Sequence, residues 1–163
     1  MKNADQNKPS SLAAGFGSAI PRLDEVLVPW GFMFMQDGVY SSHCGPFASG
    51  HYCRDTTRIG LSCRDTIDNI YYEHSFVRQS PYCQEIERFT IGHDVLMRAL
   101  GHSDDCCLVC LNRLPDLIAA RDGGDRVAAL VHDLTCIAAP ILRHPCDEFY
   151  EIMRLGHRIY SVA

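Results

Sequence analysis

The chain lacks a long apolar run. Nothing in its 163 residues approaches the roughly 18 consecutive apolar side chains that a membrane-spanning helix needs, so a membrane is not expected as a partner. A secretory leader is not expected from its first residues. Met1 to Pro9 is polar, with no apolar stretch behind its charges, and residues 1–17 read as a flexible lead-in to a single domain over 18–163. Lysine is nearly missing. Lys2 and Lys8 both fall in the lead-in, so every basic residue of the body is an arginine, the usage expected of a GC-rich genome. A basic excess is missing too: the formal charge is −5. Binding to a nucleic-acid backbone requires a basic face, so nucleic acid is not expected either. An acidic balance suits a chain that meets a basic protein, because complementary fields steer association.

Enzyme templates are also absent. There is no G-x-S-x-G elbow, P-loop or H-E-x-x-H. Gly15-Phe16-Gly17 follows no strand and has no third glycine, which excludes a dinucleotide fingerprint. Glu85, Glu87, Asp94, Asp104 and Asp105 supply carboxylates, but no pair among them stands out. An enzyme whose site is assembled from scattered residues stays open.

What the chain has in quantity is cysteine. Nine is an odd count, which in a secreted chain reads as a disulfide framework with one thiol over. With no leader expected, a reducing cytoplasm is the expected compartment. Most of the thiols are then small buried hydrophobes, and the rest bind metal or react.

Hydrophobic period divides the chain in two. Ser18 to Val28 predicts a short helix with Pro21 in its first turn and Leu23, Val26 and Leu27 on one face. Gly31 to Met35 reads as a strand, Asp37-Gly38 as a hairpin turn and Val39 to Ser42 as the returning strand. Phe47 to Arg54 is a further strand. Thr57 to Arg64 alternates, with Ile59, Leu61 and Cys63 on one side, and Ile67 to Val77 continues the alternation. Beyond Ser80-Pro81 the pattern turns helical: a turn carrying Ile86 and Phe89, a helix from Ile91 to Leu100 stopped by Gly101, one from Ser103 to about Asp122, one capped by Asp125, and a last one opened by Pro145 and Asp147. Strands followed by helices predict an α+β fold: an N-terminal helix, an antiparallel meander of four to five strands, and C-terminal helices packed on one sheet face.

Three groups of residues carry chemical potential. The first is His102, Cys106, Cys107 and Cys110, with a C-x-x-C at a helix start. It reads first as packed cysteines with no cofactor expected; the alternatives are a zinc site and a redox pair whose thiolates Asp104 and Asp105 would oppose. His132 and Cys136, four apart on a helix, and His144 with Cys146, would have to join it in space. The second is His51 and Cys53 on one strand face beside Cys63, read as core or as three zinc ligands. The third is an exposed sheet face. If helices cover the side bearing Ile59, Leu61, Ile70 and Tyr72, the other side shows Tyr52, Arg54, Arg58, Arg64, Tyr71 and Glu73. Tyrosine and arginine are enriched at binding hot spots; the plain alternative is a solvated face with cross-strand pairs.

Gly45 to Arg54, Arg58 to Arg64, Tyr71 to His74 and His93 to Gly101 together resemble a loose group of small bacterial α+β proteins over residues 20 to 101. In that group an F-x-x-G-x-[FY]-x-R strand precedes one ending in arginine and one ending in tyrosine and histidine. Some of these proteins are immunity-like and neutralise a toxin by binding it. The resemblance implies binding of a toxin or effector; the acidic balance, the absent catalytic templates and the Tyr/Arg sheet face lead to the expectation of a non-catalytic bacterial protein-binding module that uses Arg54, Arg58, Arg64, Tyr71 and Glu73. A metal- or thiol-dependent sensor or enzyme built on the 102–110 cluster is the alternative.

Overall fold

The computed structural model describes residues 11–64, 67–79, 81–101, 125–143 and 151–155. Helix α1 (Ser11–Leu27) starts at Ser11 rather than Ser18. Phe16, Ala19, Leu23 and Leu27 recur at helical spacing and are all buried, which makes the apolar stripe that seats it. Pro21 lies inside this longer helix and faces solvent. A 3-10 turn (Val28–Trp30) ends it, and Gly31, at φ 86°, donates its N–H to the Val28 carbonyl at 2.9 Å.

Five strands follow: β1 (Met33–Ser42), β2 (Gly45–Arg54), β3 (Thr57–Cys63), β4 (Ile67–Gln79) and β5 (Gln84–Gly92). They form one antiparallel sheet in the order β1-β2-β3-β4-β5. The inner face carries Ala48, Tyr52, Ile59, Leu61, Ile70, Tyr72 and Ile91, all buried. Gly50 belongs to this face, and its missing side chain has a use: a Cβ there would stand 2.6 Å from the Phe34 ring. Phe34 leans across the gap onto Tyr52 and Phe16, with ring centroids 5.2 and 5.6 Å apart, an aromatic covering a strand glycine.

Two further elements differ from their sequence reading. Asp37-Gly38 is not a hairpin turn, because β1 runs straight through it. Gln36 pairs with Gly50 and Gly38 with Ser49, so Asp37 is the extra residue of a β-bulge. Gly38, at φ 148°, takes the backbone conformation that follows. The true turn is His43-Cys44, tied by the Ser42 hydroxyl, which donates to the Gly45 carbonyl at 3.0 Å. Second, the segment from Gln84 is a strand and not a helical turn. Ile86 and Phe89 have helical spacing, but β4 offers Gln84 to Gly92 a paired partner at every position, and the ladder overrides the local pattern.

The helices pack on the inner face. Helix α2 (His93–Ala99) leaves β5 directly, buries His93, Val95, Leu96 and Met97, and gives way to Gly101 at φ 82°. Helix α3 (Arg126–Asp133) is capped by Asp125, whose carboxylate accepts the Ala128 N–H at 2.9 Å. A π-helical turn (Leu134–Ala138) then leads into α4 (Ala139–Leu142). The Thr135 hydroxyl donates to the Val131 carbonyl at 2.7 Å, within the stretch where the regular ladder is interrupted. Leu130, Leu134, Ile141, Leu142 and Met153 join α1 and the sheet in one core. No helix among the described residues is long and apolar enough to cross a membrane.

Candidate functional site

With the helices on one side, the other side of the sheet carries large side chains that nothing among the described residues covers. Met33, Met35, Tyr40 and Ile86 are 68, 54, 49 and 68% exposed. Tyr40 lies against Phe47 with its ring tilted by 31° and centroids 5.7 Å apart. The Arg64 guanidinium lies 5.7 Å over the Phe47 ring and donates to the Ser42 hydroxyl at 3.4 Å. Tyr71 lies over Gly60, where a Cβ would meet its ring at 2.0 Å. The result is a broad rim of thioether, aromatic and guanidinium surface.

Its polar centre is built by the bulge. As the extra residue of β1, Asp37 turns its carboxylate to β2, accepting from the Ser49 hydroxyl at 3.3 Å and lying 2.8 Å from Nδ1 of His51. Bulges re-aim side chains in this way. Arg58 reaches the same nitrogen, with Nη2 at 2.9 Å. One nitrogen cannot serve both partners. In the tautomer with the proton on Nδ1, His51 donates to Asp37 and Nε2 keeps its lone pair. In the other, Nδ1 accepts from Arg58. The charged carboxylate is the stronger partner, and a bare nitrogen 2.8 Å from it would be repelled, so the first tautomer fits the geometry better. Arg58 also stands directly opposite Glu73 in the β3–β4 ladder.

The structure thus brings Arg58, Arg64, Tyr71 and Glu73 onto the outer face. It does not bring Arg54 or Tyr52 there. Ala48, Gly50, Tyr52 and Arg54 share the inward parity of β2. Tyr52 is fully buried, its hydroxyl donating to Asp24 at 2.7 Å, and its pKa is pushed up by burial and then by that carboxylate. The Arg54 guanidinium lies 4.3 Å over the Phe32 ring and donates to the carbonyls of Trp30 and Leu142. It closes the end of the 3-10 turn and the end of α4 together, a use of cationic side chains at helix C-termini. Burial lowers its pKa from the usual guanidinium value.

The three-ligand reading on the sheet is also corrected. His51 and Cys53 share one face as expected, but it is the outer face rather than the core side, and Cys63 is buried on the inner face, where it pairs with Ala48. Among the described residues no group of three or more His, Cys, Asp or Glu side chains is placed to hold a metal ion. His132 and Cys136 are both exposed. His102, Cys106, Cys107, Cys110, His144 and Cys146 lie outside the described residues.

Sequence reasoning missed Asp37, hidden by its reading as a turn, and one buried network. Tyr72 Oη stands 2.7 Å from His93 Nδ1, and His93 Nε2 stands 3.0 Å from Asp133 Oδ2. The donors fall into line if Tyr72 donates to Nδ1 and Nε2–H donates to the carboxylate. All three are buried, so the order tyrosine–imidazole–carboxylate has no access to a substrate here. It ties β4, α2 and α3 together. The signal in sequence was weak, since the three residues sit far apart along the chain. Comparisons with protein-family models, characterised proteins and solved structures give no match to this chain.

Proposed function

We propose that the chain is a non-catalytic protein-binding module that engages another protein through the outer face of its sheet. The observation that carries this reading is the uncovered face itself, with Met33, Met35, Tyr40 and Ile86 all at least 49% exposed on the side that also bears the Asp37–His51–Arg58 centre. Large exposed patches of this kind mark interaction sites. Methionine adapts to a partner's shape, and tyrosine and arginine supply anchoring energy. The contacts of Arg58 with His51 and of Arg64 with Phe47 and Ser42 hold those anchors in place on the ladder.

The finer reading is an immunity or anti-defence protein of a bacterial cytoplasm that occludes a basic toxin or effector. Its support is the net charge of −5, which steers a basic partner toward the chain. Surface thiols at Cys44, Cys83 and Cys136 suit a reducing compartment.

The test is a binding assay with tagged wild-type chain and two outer-face variants, the double charge reversal Arg58→Glu/Arg64→Glu and, separately, Tyr40→Ala. Both are checked for fold by circular dichroism. Folded variants that lose the partner retained by wild type support the reading. A double reversal that retains the same partner at the same level sinks it.

A further inference from the structure

One corner of the outer face is rich in sulfur. On the β1–β2 ladder Met33 is the register partner of Cys53, and Met35 is the partner of His51. Directly opposed side chains on one face stand about 5 Å apart at Cβ, and diagonal neighbours about 7–8 Å. Two thioethers, one thiol and one imidazole therefore occupy the corners of a small rectangle. None of these cysteine or histidine side chains gathers with two carboxylates or thiols, so the group is invisible if methionine is left out.

We propose that Cys53, Met35 and Met33, with His51 beside them, form a binding site for a soft monovalent cation, copper(I). The carrying observation is a distance. Cys53 Sγ donates to Met35 Sδ across 3.8 Å. Two sulfurs bound to one ion at roughly 2.3 Å, with a tetrahedral angle between them, also stand about 3.8 Å apart. The gap is already that of a shared ligand pair, and the ion takes the place of the thiol proton. Binding is a simple exchange: the S–H bond breaks, a metal–thiolate bond forms, one proton goes to solvent, and the metal keeps its oxidation state.

The donor set selects the ion. Thiolate with thioether is soft and favours copper(I), whereas magnesium and calcium demand oxygen. Zinc finds too few thiolates and imidazoles here. His51 is prepared for the fourth place by Asp37: with Nδ1–H donated to that carboxylate, Nε2 keeps the lone pair a metal takes, the arrangement that orients metal-binding histidines. Access is open, since Met33 and Met35 are more than half exposed. The inference goes beyond the partner reading, and it is tested on the isolated chain, so either can fail alone.

Silver(I) is a redox-inert probe of such a site. The reduced chain, labelled with methyl-13C methionine, is titrated anaerobically with silver nitrate in chloride-free buffer. It is studied both as wild type and as Cys106→Ser/Cys107→Ser/Cys110→Ser, which removes the thiols most able to compete. Met33→Leu and Met35→Leu assign the signals. The expected result in the triple variant is movement of the Met33 and Met35 methyl signals, complete at one equivalent, with those of the buried Met97 and Met153 unmoved. Adding Cys53→Ser abolishes the movement and adding Cys44→Ser does not. Copper(I) supplied as its bicinchoninate complex is then withdrawn from the chelator with one ion per chain, at least tenfold less tightly after Met33→Leu/Met35→Leu. Met33 and Met35 signals that stay still through three equivalents, or copper uptake indifferent to both methionines, overturn the proposal.

Discussion

Arg54 and Arg58 flank the Asp55-Thr56 end of one hairpin, yet they do opposite things. Arg54 turns inward and satisfies two chain-end carbonyls beside an aromatic ring, whereas Arg58 stays on the outer face with His51. Arg54→Met, which keeps most of the packing and loses the charged donors, should cost about 2–4 kcal/mol in urea unfolding. Arg58→Gln should stay within about 0.5 kcal/mol of wild type. Equal costs would show that the inward clamp is not real. The sequence explains why the two are hard to tell apart. In β3 the alternation of Ile59, Leu61 and Cys63 names the buried side without ambiguity. In His51-Tyr52-Cys53-Arg54 each parity holds one residue that tolerates burial and one that tolerates water, so both choices look acceptable. A related test at this scale is Gly60→Ala. Tyr71 is half-buried and reaches Gly60 with the far end of its ring, so an added methyl should swing the ring outward. The cost in stability should be about 1 kcal/mol, the low end for overpacking, while fluorescence quenching of Tyr71 by added acrylamide rises, measured in a chain where Tyr40 and Tyr82, the exposed tyrosines among the described residues, and also Tyr150 and Tyr160 are phenylalanine.

At the scale of elements, the fold class follows from period alone, and the errors sit where a local signal competes with a long-range one. Asp-Gly between apolar residues is a strong hairpin cue, but β2 is long enough to pair with both halves of β1, and the cue becomes a bulge. Gln84 to Gly92 reads as helical until β4 supplies the ladder. The tie between sheet and helices is not legible at all, because it depends on Tyr72, His93 and Asp133 meeting from three elements. Its energetics are testable. His93→Leu leaves the buried Asp133 carboxylate without the imidazole donor and should cost about 3–5 kcal/mol. His93→Leu/Asp133→Leu removes the stranded charge and should recover a large part of that loss. A double variant less stable than the single one would mean that the carboxylate is not held by His93.

At the scale of the whole molecule, stability should decline on the acid side by two routes. His74 sits on β4 with Nδ1 2.8 Å from the Thr57 hydroxyl, and burial lowers its pKa below the ordinary value. The unfolded chain takes up this proton as pH falls through about 6.5, and the folded chain resists until its own lower pKa is reached. Stability is therefore lost across that window and levels off beneath it. His74→Gln should flatten this part of the profile, seen as a smaller difference between urea midpoints at pH 7.5 and 5.5. A variant as pH-sensitive as wild type there would assign the loss elsewhere. Asp125 works at lower pH. The Ala128 N–H, with Arg22 as a lesser cause, holds its carboxyl below the usual range. Its contribution is present above the unfolded pKa and lost as pH falls through the folded one. Asp125→Ala should cost about 1 kcal/mol at neutral pH and progressively less in strong acid.

The bulge at Asp37 works like a single inserted letter in a reading frame. From the His43-Cys44 turn back to Gly38, β1 keeps one phase, and upstream of Asp37 it keeps the other. If Asp37 were drawn into the ladder, every residue before it would change sides. Phe34 would leave the core, and Met33 and Met35 would turn in beneath the helices. Which side of the sheet sees sulfur is thus decided by chain length between Gln36 and Gly38 rather than by the methionines themselves. An insertion at that point should be far less tolerable than any substitution there.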